Sequence, residues 1–133
     1  MRNKFLLCLL LCAFTISVSA KDWSRVVRAI AKVESNCDPH AVSGIYVGYL
    51  QIAPVIVKDC NRILKIRKSS LRYSLADRYS KSKSIQMFVL YQSFYNPKGS
   101  VEKAIRLWNG GPNYSHSATQ RYYQRVIYHY RKQ

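Results

Sequence analysis

Acidic residues are scarce in this chain. Six aspartates and glutamates stand against 22 lysines and arginines, so the 133-residue sequence carries a formal charge of +16. The imbalance predicts a partner of negative charge: outside the cytoplasm, a wall polymer with carboxylates or phosphates, an anionic membrane surface, or nucleic acid. Cysteine is equally sparse, at Cys8, Cys12, Cys37 and Cys60. No histidine pair lies near the later two, and His40 alone does not complete a zinc site, so no metal is expected. No repeat, low-complexity tract or second domain is visible.

The first twenty residues stand apart. Arg2 and Lys4 form a positive start, Phe5 to Val18 are almost wholly apolar, and Val18-Ser19-Ala20 offers a small-residue cleavage site. This is the pattern of a secretory signal peptide, with cleavage after Ala20. The apolar run is short for a membrane span and no stop-transfer pattern follows it. A soluble chain of residues 21–133, exported to the periplasm or beyond and without stable membrane insertion, is the expectation. Losing Arg2 and Lys4 leaves 20 basic side chains against the same 6 acidic ones, a formal +14.

Only Cys37 and Cys60 remain in that segment. In an exported protein such a pair predicts a disulfide, which would tie the segment after the first helix to the second. The alternative is two free thiols.

Asp22 to Ser35 has apolar residues at helical spacing, Trp23, Val26, Val27, Ile30, Ala31 and Val33, with Arg25, Arg28 and Lys32 on the other face. Trp23, Val27 and Ile30 fall within about 40° of Glu34 around the axis, so Glu34 sits on the apolar stripe. A carboxyl placed there is expected to have a raised pKa, which suits a general acid. The alternative is a solvated glutamate in a fraying last turn.

Asp38 to Gly44 reads as a turn, and Gly48 to Pro54 as a short strand or loop leading into a helix. Gln51 lies there between Tyr46, Tyr49 and Pro54; its amide suits sugar hydroxyls and acetamido groups, and it could equally be an ordinary polar residue. Further helices are predicted over 55–66, briefly over 74–79, and over 84–95 with Ile85, Phe88, Val89 and Gln92 on one face. Ser100 can cap another that runs to Trp108-Asn109-Gly110-Gly111, and Ser117 to Gln120 looks like the capping box of a last helix through Tyr130. The last helix alternates cations with tyrosines, which are read as inward packing rather than as a nucleic-acid surface, and no nucleic acid is expected as partner.

Taken together these stretches resemble the soluble lytic transglycosylase domain, over nearly all of residues 21–133. Its signature of a helix-ending glutamate and serine, then proline, alanine, valine and serine, is matched by Glu34, Ser35, Pro39, Ala41, Val42 and Ser43. Glycine, an apolar pair, glutamine and proline are matched by Gly48, Leu50, Gln51 and Pro54. The family's tyrosine-asparagine-alanine-glycine appears as Trp108-Asn109-Gly110-Gly111, with substitutions at Trp108 and Gly110. Its late tyrosine, framed by threonine and valine, is matched by Tyr122 between Thr119 and Val126, with Tyr123 the alternative register.

The resemblance implies an all-α, lysozyme-like domain that cleaves the β-1,4 bond between N-acetylmuramic acid and N-acetylglucosamine in peptidoglycan, without cofactor. Glu34 would serve as acid and then base. Ser35, Ser43, Gln51, Trp108 and Asn109 would bind the strand, and Tyr122 would hydrogen-bond near Glu34. A hydrolytic muramidase of goose-lysozyme type, with Asp38 as second carboxylate, and a non-catalytic wall-binding module are the alternatives. A cell-envelope assembly as partner is left open.

Overall fold

A computed structural model describes residues 21–133; the expected signal segment, residues 1–20, lies outside the described residues. Five α-helices and one two-stranded hairpin follow in chain order: α1 (Ser24–Ser35), β1 (Val42–Ser43), β2 (Tyr46–Val47), α2 (Pro54–Ile66), α3 (Lys81–Tyr95), α4 (Val101–Gly110) and α5 (His116–Arg131). A 3₁₀ turn, Leu75–Tyr79, precedes α3. The protein is therefore mainly α. None of the described helices is long and apolar enough to cross a membrane.

Helix α1 buries Val26, Val27, Ile30 and Ala31 of the stripe its spacing predicts, with Trp23 just before it, and Ala29 as well, while Val33 is half-buried. It stops where Asn36 and Cys37 both turn left-handed, at φ 54° and 64°, and the Cys37 N–H donates back to the Ala31 carbonyl at 3.1 Å. Pro54 opens α2 with its φ already set and no N–H to satisfy. Ser80, Ser100 and Ser115 accept hydrogen bonds from the first turns of α3, α4 and α5. Two of these starts differ from the expected ones. Helix α3 begins three residues before Ser84, because a serine cap starts it where Lys81-Ser82-Lys83 offers no apolar signal. Helix α5 is capped by Ser115, not Ser117.

Helix α5 lies against both α1 and α4, and α2 against α3. Between them one contiguous cluster includes Ile30, Leu50, Ile63, Phe88, Ile105 and Val126. Met87 and Tyr91 are buried on α3, whereas Val89, expected inside, is exposed. Edge-to-face aromatic contacts run through the cluster, Trp23 on Phe88 at 5.8 Å, Phe88 on Trp108 at 5.1 Å and Trp108 on Tyr91 at 5.8 Å. Each such pair adds about 0.5–1.5 kcal/mol beyond burial. Together they fix α1, α3 and α4, which carry or support the site.

The hairpin pairs Val42 with Val47 and Ser43 with Tyr46. It is held from inside by Arg78, a buried guanidinium whose Nη1 donates to the Ile45 and Ile52 carbonyls, both at 3.0 Å, while its Nε donates to Leu75 O at 2.9 Å. Arg106 does the same for the α4–α5 junction, reaching Glu102, Thr119, Gln120 and the His116 carbonyl.

The expected Cys37–Cys60 bridge is not formed. Cys37 is exposed in the left-handed turn after α1, beside Tyr49, while Cys60 is fully buried on α2 with its Sγ directed at the Met87 carbonyl. Burial pushes the Cys60 thiol up to about 12, so it behaves as a small apolar group rather than a nucleophile. A reductant is therefore expected to leave the melting temperature unchanged. A drop of several degrees on adding dithiothreitol would show a bridge.

Candidate active site

Three separate segments converge on one cleft of about 480 Å³: the last turn of α1, the stretch from β1 to the start of α2, and the end of α4. Its lining includes Glu34, Ser43, Tyr46, Gln51, Val55, Trp108 and Asn109. The volume falls in the range of ordinary ligand sites.

Glu34 is half-buried one residue before the end of α1. Burial holds its carboxyl above the ordinary range, opposed by the Tyr122 hydrogen bond and by the charge of Arg125, both of which favour the carboxylate. Tyr122 donates its hydroxyl to Glu34 Oε1 at 2.7 Å across 88 residues of chain. Burial and the contact with Glu34 keep that phenol well above its usual range, so it stays a proton donor to the carboxylate. Tyr123 instead lies under the Arg106 guanidinium at 4.5 Å, so Tyr122 rather than Tyr123 is the tyrosine that reaches Glu34.

Gln51 occupies a left-handed backbone position, φ 50°, unusual for a residue with a side chain. The strain is held in place by its own amide: Nε2 donates to Ala41 O at 3.1 Å and Gly48 O at 3.0 Å. With both hydrogens of the amide so occupied, Oε1 is left as an acceptor in the cleft. Ser43 and Asn109 are exposed there, and neither side chain has a protein hydrogen bond among the described residues.

Two expected strand-binding residues have other work. Ser35 is absent from the cleft lining, and its hydroxyl is directed at the carbonyls of Tyr49 (2.8 Å) and Ala31 (3.2 Å), tying α1 to the glutamine loop. Trp108 reaches the lining but is 9% exposed, its ring packed on Phe88 and Tyr91 and its Nε1 donating to Leu50 O at 3.2 Å. It places Gln51 by holding the preceding carbonyl, and offers no open face.

The six acids account for themselves. Asp22 accepts from the Ser24 N–H and Asp38 from the His40 N–H. Asp59 binds Arg62 and Tyr95, Asp77 closes the Ser74 capping box, and Glu102 binds Arg106. Glu34 is the only carboxylate in the cleft lining. Among the described residues no group of three or more His, Cys, Asp or Glu is placed to hold a metal ion.

The chain matches no protein-family model, no curated protein and no solved structure.

Arg78 carries no signal of its role in the sequence, since its partners are backbone carbonyls rather than acids. Tyr46 was visible only as a neighbour of the glutamine loop; its pairing with Ser43 turns both toward the cleft.

Proposed function

We propose that this protein is an exported peptidoglycan lytic transglycosylase with a lysozyme-like fold. The observation that carries the reading is a lone cleft carboxyl, raised by burial and hydrogen-bonded by Tyr122. Glycosidases that use water or a covalent intermediate need two carboxylates flanking the bond. An attack from within the sugar needs one.

In this reading protonated Glu34 gives its proton to the oxygen bridging N-acetylmuramic acid and N-acetylglucosamine, and the C1–O bond breaks. The carboxylate then takes the proton of the muramyl C6 hydroxyl as that oxygen bonds to C1, closing a 1,6-anhydro ring and restoring the acid. Tyr122 steadies the anionic form between the two steps. Gln51 Oε1 accepts from an acetamido N–H, while Asn109 and Ser43 meet the remaining polar groups of the strand. The formal +14 draws the protein to the carboxylates of the peptide stems. Chain 21–133 added to purified sacculi is expected to release soluble fragments; intact sacculi after prolonged incubation would overturn the reading.

A further inference from the structure

The cleft lining contains two exposed apolar side chains that neither the proton transfer nor the polar contacts employ. Tyr46 on β2 is 49% exposed and Val55 at the start of α2 is 65% exposed. Exposed apolar side chains lining a cleft beside polar groups are where a ligand can complete a contact. Among the described residues the Tyr46 ring meets no other aromatic ring or cation, and its hydroxyl has no hydrogen-bond partner. In contrast, Tyr49, Tyr73, Tyr95, Tyr122 and Tyr130 each have one or the other.

The backbone that carries the ring is held in place. Tyr46 pairs with Ser43 in the hairpin, Arg78 grips the carbonyl of the preceding Ile45, and Gly48 packs so closely on Arg78 O that no side chain would fit between them. A platform carried on a backbone fixed in this way has only its own side-chain rotation to lose when a ligand settles on it.

We propose that Tyr46, with Val55 in the same cleft, is a stacking platform for the apolar face of a pyranose ring of the glycan strand. This rests on the transglycosylase reading and adds a strand-binding residue to it. The C–H face of an N-acetylhexosamine suits an aromatic ring, while its equatorial hydroxyls and acetamido group suit the amides and hydroxyl of Gln51, Asn109 and Ser43. Tyrosine gives such area at small entropic cost, having few rotatable bonds.

The test uses chain 21–133 and peptide-free glycan strands. In the Glu34→Gln background, Tyr46→Thr, which keeps strand propensity but removes the ring, is expected to weaken strand binding on the order of tenfold. Tyr46→Phe should bind within about twofold of the parent, since the ring and not the hydroxyl makes the contact. In the protein with Glu34 intact, Tyr46→Thr should act mainly on KM. Titrating the Glu34→Gln protein with strands should also shift the Tyr46 ring resonances, a readout that no substitution at Tyr46 can compromise. Unshifted Tyr46 resonances, or a Tyr46→Thr protein that binds as tightly as the parent, would overturn the platform. If the unsubstituted protein fails to cleave strands at all, the transglycosylase reading falls, whatever the ring does.

Discussion

Replacing Glu34 with glutamine is expected to abolish turnover and leave the fold intact. The substitution removes the only carboxyl proton among the cleft-lining residues, yet keeps the shape and an acceptor for the Tyr122 hydroxyl. A positioned general acid contributes about 10²–10⁴-fold. In the proposed mechanism the same group is also the base, so a loss of on the order of 10³-fold or more is predicted. Residual activity near that of the parent would remove Glu34 from the mechanism.

The same variant has a stability signature with a definite sign. Burial raises the folded-state pKa of Glu34 above its unfolded value. Between those two values the folded chain retains a proton that the unfolded chain has shed, so this group's contribution to stability falls as pH rises through the window. Glutamine has no such dependence. The melting temperature of the variant should therefore gain on the parent as pH climbs from the ordinary carboxylate range to the raised value, then hold a constant lead. Activity should fall over the same rise, because the acid must be protonated to start. A lead that shrinks with rising pH would mean that the Tyr122 hydrogen bond and Arg125 outweigh burial.

Gly48→Ala is the second substitution with a large effect. An added Cβ would lie 1.8 Å from Arg78 O and 2.9 Å from Arg78 C, both backbone atoms, at a φ of +86°. Neither the conformation nor the space can be relieved by a rotamer change. Overpacking and left-handed strain together are expected to cost about 3 kcal/mol or more. For a domain of this size that lowers the melting temperature on the order of 10–20 °C. Gly44→Ala is the internal comparison: its φ is +58°, but nothing lies within 4 Å of the new Cβ, so only about 1 kcal/mol of backbone strain applies. Equal losses at the two positions would show that the Arg78 contact is not what holds the glutamine loop.

What the sequence made legible follows from which interactions leave a periodic trace. The burial of α1 and the half-buried setting of Glu34 could be read because Trp23, Val27 and Ile30 share its stripe. Gln51 and Tyr122 stood out through the resemblance to the lytic transglycosylase motifs, and they line the cleft and reach Glu34 respectively. Side chains that bind backbone carbonyls leave no such trace. Arg78 looks like one more solvated cation, and Ser35 and Trp108 look like ligand contacts, until the carbonyls of Ile45, Ile52, Tyr49 and Leu50 are in place. The cysteines misled for a related reason: export makes pairing favourable in general, but Cys60 is fully buried against Met87 and Cys37 stays at the surface.

The hairpin was also hard to read. Residues 38–44 have turn composition, and the two strands are two residues each, too short for an alternating pattern. Their pairing is what sets Ser43 and Tyr46 opposite each other and brings Gly48 against Arg78.

In the proposed reaction a single carboxyl cuts the strand by internal attack. The most direct test is mass spectrometry of the fragments that chain 21–133 releases from purified peptidoglycan. Ends lighter by one water, the 1,6-anhydromuramic form, are predicted, and they should vanish with Glu34→Gln. Reducing muramic ends in their place would show that water is the nucleophile and would contradict the account.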